Sequence, residues 1–254
     1  MMKIDRDRYD LLASLFDYPA EDLPTLVEEA CESLHASYPE AAEEFRAFQR
    51  LLPFEGCETQ GHGTERVVGN RREEGYALDA MQELYTRSFQ VQAMTTLDIG
   101  YIIFGDDYKR AELLVNLNRE HREADVSCGN ELPDHLPNLL RLLPRWRDSE
   151  TMIEFVQEIL APALEMMIGE FAAERVEQRN ALYKKHYKTL IAVPSDHAMA
   201  YKHALVGLLR VVAADFDVKA RERRELSSDF LKSIRREMEI EARGEGHRVL
   251  QTEG

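Results

Sequence analysis

The residue types that could do chemistry are few and scattered. Asp134-His135 is a carboxylate–imidazole pair, set inside Glu131-Leu-Pro-Asp-His-Leu-Pro137. A carboxylate beside an imidazole can orient the ring, but adjacent residues of a helix point in different directions. Read on chemistry alone, Pro133 forms a turn and Asp134 meets the positive end of the next helix dipole. Metal chemistry has thin support. Glu32-x-x-His35 is the single pair with the spacing of a helical di-iron ligand set, which needs two such pairs and two more glutamates. His197 and His203 are six apart, which places them on different helix faces, and no HExxH motif occurs. The nucleophile elbow GxSxG and the phosphate loop GxxxxGK[ST] are absent, and Gly61, Gly63 and Gly69 do not form GxGxxG. Cys31, Cys57 and Cys128 are odd in number and far apart, which fits a reducing compartment and not a disulfide framework.

The elements that must position these residues have helical periodicity almost throughout. Tyr9, Leu12, Leu15 and Phe16 share a face, and Tyr18-Pro19 ends that segment. A second helix is expected over 22–37. A third begins at Pro39 and carries Phe45, Phe48 and Leu52. Residues 53–72 hold four glycines and no period, and read as a mobile loop within one domain. Helix resumes over 73–89 with Leu78, Met81, Tyr85 and Phe89 on one stripe. Tyr101-Ile-Ile-Phe104 is the one strand-like run, too short and isolated to found a sheet, and is expected as a buried helical turn before Gly105. Asp106 or Asp107 caps a helix over 108–124 with Leu113, Leu114, Leu117 and His121 inward. The stripe Ile153, Val156, Leu160, Leu164, Met167 is interrupted by Pro162, which should kink it. Further helices are expected near 174–190 and 197–215. A last one over 217–243 is charged, with Leu226, Phe230, Ile234 and Met238 at spacing four, and the end of the chain reads as frayed. The expected fold is all-α, a single domain over 1–216 of about nine to eleven helices, with a charged helix and tail at 217–254.

The net charge is −15 over 254 residues, with 44% apolar residues. Residues 1–50 carry 12 acidic and 5 basic side chains, and residues 51–150 carry 18 and 11. This field repels phosphate backbones, so no nucleic-acid partner is expected. It favours a basic partner, and it equally serves solubility. No run approaches a membrane span, and the charged start has no secretory pattern, so a cytoplasmic location is expected.

Four segments in order resemble the TorD/NarJ/DmsD family of redox-enzyme maturation chaperones, in particular its NarJ-like branch. They are Tyr9 to Pro19, which is similar to the opening helix; Leu84-Tyr-Thr-Arg-Ser-Phe89; Tyr101 to Arg110 continuing through Ala111-Glu-Leu-Leu to Asp125; and the E-x-P-D-H element from Glu131. They span about 8–165, and the rest adds only length and helicity. Ser88 stands where leucine is usual, and Asp125 where glycine often ends the helix. The resemblance implies an all-helical cytoplasmic chaperone with no catalytic activity and no cofactor of its own. Its partner would be the catalytic subunit of a molybdopterin oxidoreductase, bound by its N-terminal peptide and held while cofactor is inserted. The peptide site carried over by position comprises Tyr85, Phe89, Glu131, Pro133, Asp134 and His135. Tyr85 and Phe89 also fit plain core packing. Whether the chain is a monomer or a dimer, and which enzyme is the client, stay open. The alternatives of another class are a helical metal- or haem-dependent enzyme and a permanently bound regulatory subunit.

Overall fold

In a computed structural model the described residues are 4–53, 77–186 and 199–218. Most of the 53–72 loop, the end of the helix expected near 174–190 and the tail after 218 lie outside them. The described residues form eleven α-helical segments and no strand. Asp5 caps α1 (Arg6–Ser14) by accepting from the Arg8 amide at 3.2 Å. Prolines in the first turn open α2 (Leu23–Leu34) and α3 (Pro39–Leu51), where their missing amide costs no helical bond. After α4 (Leu78–Phe89), the strand-like run is α5 (Ile99–Phe104), ended by Gly105 at φ +59°. Asp107 caps α6 (Tyr108–Glu123), its carboxylate accepting from the Lys109 amide at 2.9 Å.

Helix α7 (Leu136–Leu142) runs into a 3₁₀ turn over Leu143–Arg145. The stripe around Pro162 is α8 (Ser149–Phe155) joined to α9 (Ala161–Gly169) by a π turn over Val156–Leu160. The interruption expected from Pro162 therefore takes the form of one wide turn just before it, a common accommodation of a missing ladder bond. Helices α10 (Ala173–His186) and α11 (Ala200–Asp215) complete the set.

One continuous apolar core runs from Tyr9 to Phe216. Helix α11 packs against α3 and α9, α2 against α3, and α1 against α7. Gly207 permits the close approach of α11 to α3: a Cβ there would stand 2.9 Å from the Phe45 ring. Tyr201 of α11 is 1% exposed and lies among Phe48 (ring centroids 5.1 Å apart), Phe89 (4.8 Å), Tyr85 (5.8 Å) and Phe16 (6.5 Å). These edge-on and tilted pairs tie the turn after α1 to α3, α4 and α11 through one ring.

At the far end of α11, Asp215 accepts hydrogen bonds from the hydroxyls of Tyr9, at 3.1 Å, and Tyr38, and lies 3.4 Å from the Arg8 guanidinium. Burial and the Asp215 carboxylate push the Tyr38 hydroxyl up to about 12. The two tyrosines thus remain protonated donors and hold the ends of the described chain together.

Candidate functional site

The E-x-P-D-H loop is held against three other segments. Its backbone forms an isolated antiparallel bridge with the residues before α5: the Ile99 amide donates to the Asp134 carbonyl at 3.0 Å, and the Leu136 amide to the Leu97 carbonyl at 2.9 Å. This brings Asp98 beside His135. The His135 Nδ1–H donates to Asp98 Oδ1 at 3.1 Å, and the Arg110 guanidinium of α6 bridges the two carboxylates, 3.2 Å from Asp98 Oδ2 and 3.2 Å from Asp134 Oδ2. Gly100 leaves the room this needs, since a Cβ there would fall 2.7 Å from Asp134 Oδ2. On the other side of the loop, His121 Nε2–H donates to the Pro133 carbonyl at 3.1 Å.

Asp134 is fully buried, and its Oδ1 has no hydrogen-bond partner among the described residues. Burial pushes its carboxyl above the usual range against the pull of Arg110. Burial also acts to raise Asp98, but the hydrogen bonds and charges of His135 and Arg110 together hold it below its ordinary value. His121 is 2% exposed; burial lowers it, the Pro133 bond offsetting part of the shift. The dipole role read for Asp134 from sequence is displaced. Helix α7 begins at Leu136 with His135 as its N-cap and no side-chain capping bond, while the Asp134 carboxylate turns inward to Arg110. A buried counter-charge offers a carboxylate more than a solvated helix end does.

Tyr85 and Phe89 lie side by side on α4, edge to face with centroids 5.2 Å apart, at 3% and 7% exposure. The Tyr85 hydroxyl donates to the Phe16 carbonyl at 3.2 Å. Both rings pack in the core, and the aromatic that reaches solvent is Tyr18, 52% exposed and stacked edge-on over Tyr85 at 5.4 Å. Burial pushes the Tyr85 hydroxyl up, and the carboxylates of Glu131, Asp17 and Asp98 add to it. Glu131 is exposed, while Pro133 and Asp134 are buried and His135 is partly so. The structure thus brings His135 and Asp134 into one ionic cluster and places Tyr85 within the field of Glu131, while Phe89 lies against the Tyr85 and Tyr201 rings.

Ser88 and Asp125 each have a local explanation. Ser88, 1% exposed, donates its hydroxyl to the Leu84 carbonyl at 2.7 Å, so its polar group is satisfied inside the helix. Asp125 adopts φ +55°, the left-handed position that glycine favours. The Val126 amide donates to the His121 carbonyl at 2.9 Å and the Asp125 amide to the Arg122 carbonyl at 3.3 Å, closing a Schellman turn on α6.

Asp98, Arg110, Gly100 and Tyr18 were not singled out as site residues by sequence reasoning. Their partners are 12 to 67 residues away along the chain, so no local pattern marks them. Chemically, an Asp98-oriented His135 could serve as a base, but no hydroxyl or thiol of the described residues is hydrogen-bonded to it. Among the described residues, no three His, Cys, Asp or Glu side chains cluster in a metal-holding arrangement, and no helix is long and apolar enough to cross a membrane. No protein-family model and no curated protein matches the sequence.

Proposed function

We propose that this chain is an assembly chaperone that binds the N-terminal peptide of a molybdopterin oxidoreductase's catalytic subunit and holds that subunit for cofactor insertion. The order of the four resembling segments supports the family. The observation that carries the site is the exposed Tyr18 ring standing edge-on over Tyr85, whose hydroxyl lies within the field of the exposed Glu131; Asp17 and Asp98 act on that hydroxyl too but are paired with Arg141 and Arg110. An exposed aromatic beside the Glu131 carboxylate suits a peptide with an apolar anchor and a basic flank. In this reading Tyr18, Glu131 and His135 meet the peptide. Tyr85 and Phe89 support the platform from below. Pro133 and Asp134 fix the loop's height through His121 and Arg110.

The test has two stages. Pull-down of the full chain with mass-spectrometric identification should capture the catalytic subunit of a molybdopterin oxidoreductase. A synthetic peptide of that subunit's N-terminus is then titrated calorimetrically against the parent, Tyr18→Ala and Glu131→Gln. Both variants should bind at least about tenfold more weakly while their melting temperatures stay near the parent's, because neither side chain is buried. Failure to capture such a subunit, or unchanged affinity in both variants, overturns the reading.

A further inference from the structure

Helix α6 presents two unlike faces. Leu117 and His121 are buried, and Arg110 near its start and His121 near its end fix the helix to the E-x-P-D-H loop. The opposite face looks outward and is apolar at its middle. Tyr108 is 68% exposed and Val115 69%, the two most exposed large apolar side chains among the described residues, and Ala111 between them is exposed as well. At about 3.6 residues per turn, Tyr108, Ala111, Glu112, Val115, Arg119 and Arg122 fall within an arc of about 100°.

Single exposed apolar residues are ordinary on a protein surface. The charges around these are ordered. Glu112 precedes Val115 by three residues, and Arg119 and Arg122 follow it by four and seven. A face with acid on one side of an apolar centre and base on the other complements itself when reversed, as a two-fold contact requires. Glu112 has no ion-pair partner among the described residues. Arg119 lies 3.1 Å from its exposed neighbour Glu120, a surface pair of little worth that a better partner can replace. The net charge is −15, so two copies repel over most of their surfaces. On this face two arginines stand against one glutamate, and two copies can approach without acid meeting acid.

We propose that the outward face of α6 binds a second copy of the chain as an antiparallel helix pair. With the two-fold axis passing between Val115 and Asn116, Glu112 of each copy lies opposite Arg119 of the other, on the same flank. Tyr108 comes within reach of Arg122 of the second copy, a cation–π contact, and Val115 packs against its counterpart beside the axis. One helix against one helix is at the small end of specific interfaces, so the dimer is weak, with a dissociation constant on the order of 10–100 µM. The pairing is independent of the function proposed above, because none of the six residues belongs to the Tyr18–Glu131–His135 site.

Sedimentation of the full chain from about 1 to 200 µM tests it. The average mass should rise with concentration from 29.3 kDa toward twice that value. Glu112→Arg and Arg119→Glu each replace two attractions by two repulsions, and each alone should weaken association at least about tenfold. An equimolar mixture of the two variants should recover the association of the parent to within about threefold, because the mixed pair again sets opposite charges at both contacts. Recovery in the mixture also shows that both variants fold. The proposal is overturned if the parent stays monomeric throughout, the result expected if residues 219–254 of the same chain cover the face. It is overturned equally if the single variants associate like the parent, or if their mixture associates no better than either alone.

Discussion

Arg110→Met tests how the loop is held, and its size can be worked from the cluster. The variant keeps the aliphatic stem but removes the charge 3.2 Å from both Asp98 Oδ2 and Asp134 Oδ2. Asp98 keeps His135 and is 29% exposed along its side chain, so water and the imidazole cover most of its loss. Asp134 has no such relief: it is fully buried and its other oxygen already lacks a partner. Breaking a buried pair from one side costs about 3–5 kcal/mol, and the partial exposure of Arg110 argues for the lower end, about 3 kcal/mol at pH 7. Asp134→Asn in the Arg110→Met background should restore about 2 kcal/mol, because a neutral amide of the same shape needs no counter-charge. The pH dependence has a definite sign. Burial already holds the Asp134 carboxyl above its unfolded value, and loss of Arg110 raises it further. The folded state then binds the extra proton, so stability falls as pH rises through the folded value and returns on acidification toward about 4. Urea unfolding at pH 7 and pH 5 reads both effects. A cost below about 1 kcal/mol for Arg110→Met at pH 7, or a double variant no more stable than Arg110→Met, would refute the account of Asp134 as a carboxylate held by Arg110.

Three further outcomes are expected. Gly207→Ala places a Cβ 2.9 Å from the Phe45 ring and should lower stability by about 1–3 kcal/mol in thermal unfolding, without changing helix content. Asp125→Gly relieves a left-handed backbone position at φ +55° and should stabilise by up to about 1 kcal/mol, seen as a higher melting temperature. His121 is lowered by burial, so it contributes stability above its unfolded value near 6.5 that is lost as pH falls toward its folded value. His121→Leu should therefore flatten the fall in urea midpoint between pH 7.5 and 5, and an unchanged slope would contradict it.

Helix type and order were legible because apolar spacing near 3.6 dominates the chain. The Tyr101–Phe104 run shows why length decides: four residues ended by a glycine at φ +59° cannot found a sheet, whatever their strand propensity. Pro162 was legible as an interruption, but its form as a π turn depends on how α8 and α9 share the core. The site was legible only in part. The E-x-P-D-H loop marked its own place, yet the direction of the Asp134 carboxylate depends on Arg110, 24 residues away. Tyr85 and Phe89 sit on a stripe that core packing and peptide docking would write identically. Tyr201, 116 residues beyond Tyr85, lies against both rings and buries them.

The cluster at Asp215 has a consequence for synthesis. Asp215 is the last residue of α11, yet it receives Tyr9 and Tyr38 from the first helices, 206 and 177 residues earlier. Helix α3 buries its face largely against α11, and Phe48 lies against Tyr201. On the ribosome, α1 to α3 emerge long before the surface that completes their core exists. At about 5–20 residues per second, the wait is on the order of 10 seconds or more with apolar faces open to water. The chain therefore reaches its native core only after release of α11 from the exit tunnel, and truncation anywhere before residue 215 leaves the amino-terminal helices as sticky, unfinished pieces. A nascent chain stalled at residue 200 should be captured by general folding factors, and one stalled at residue 254, 39 residues beyond Asp215, should not.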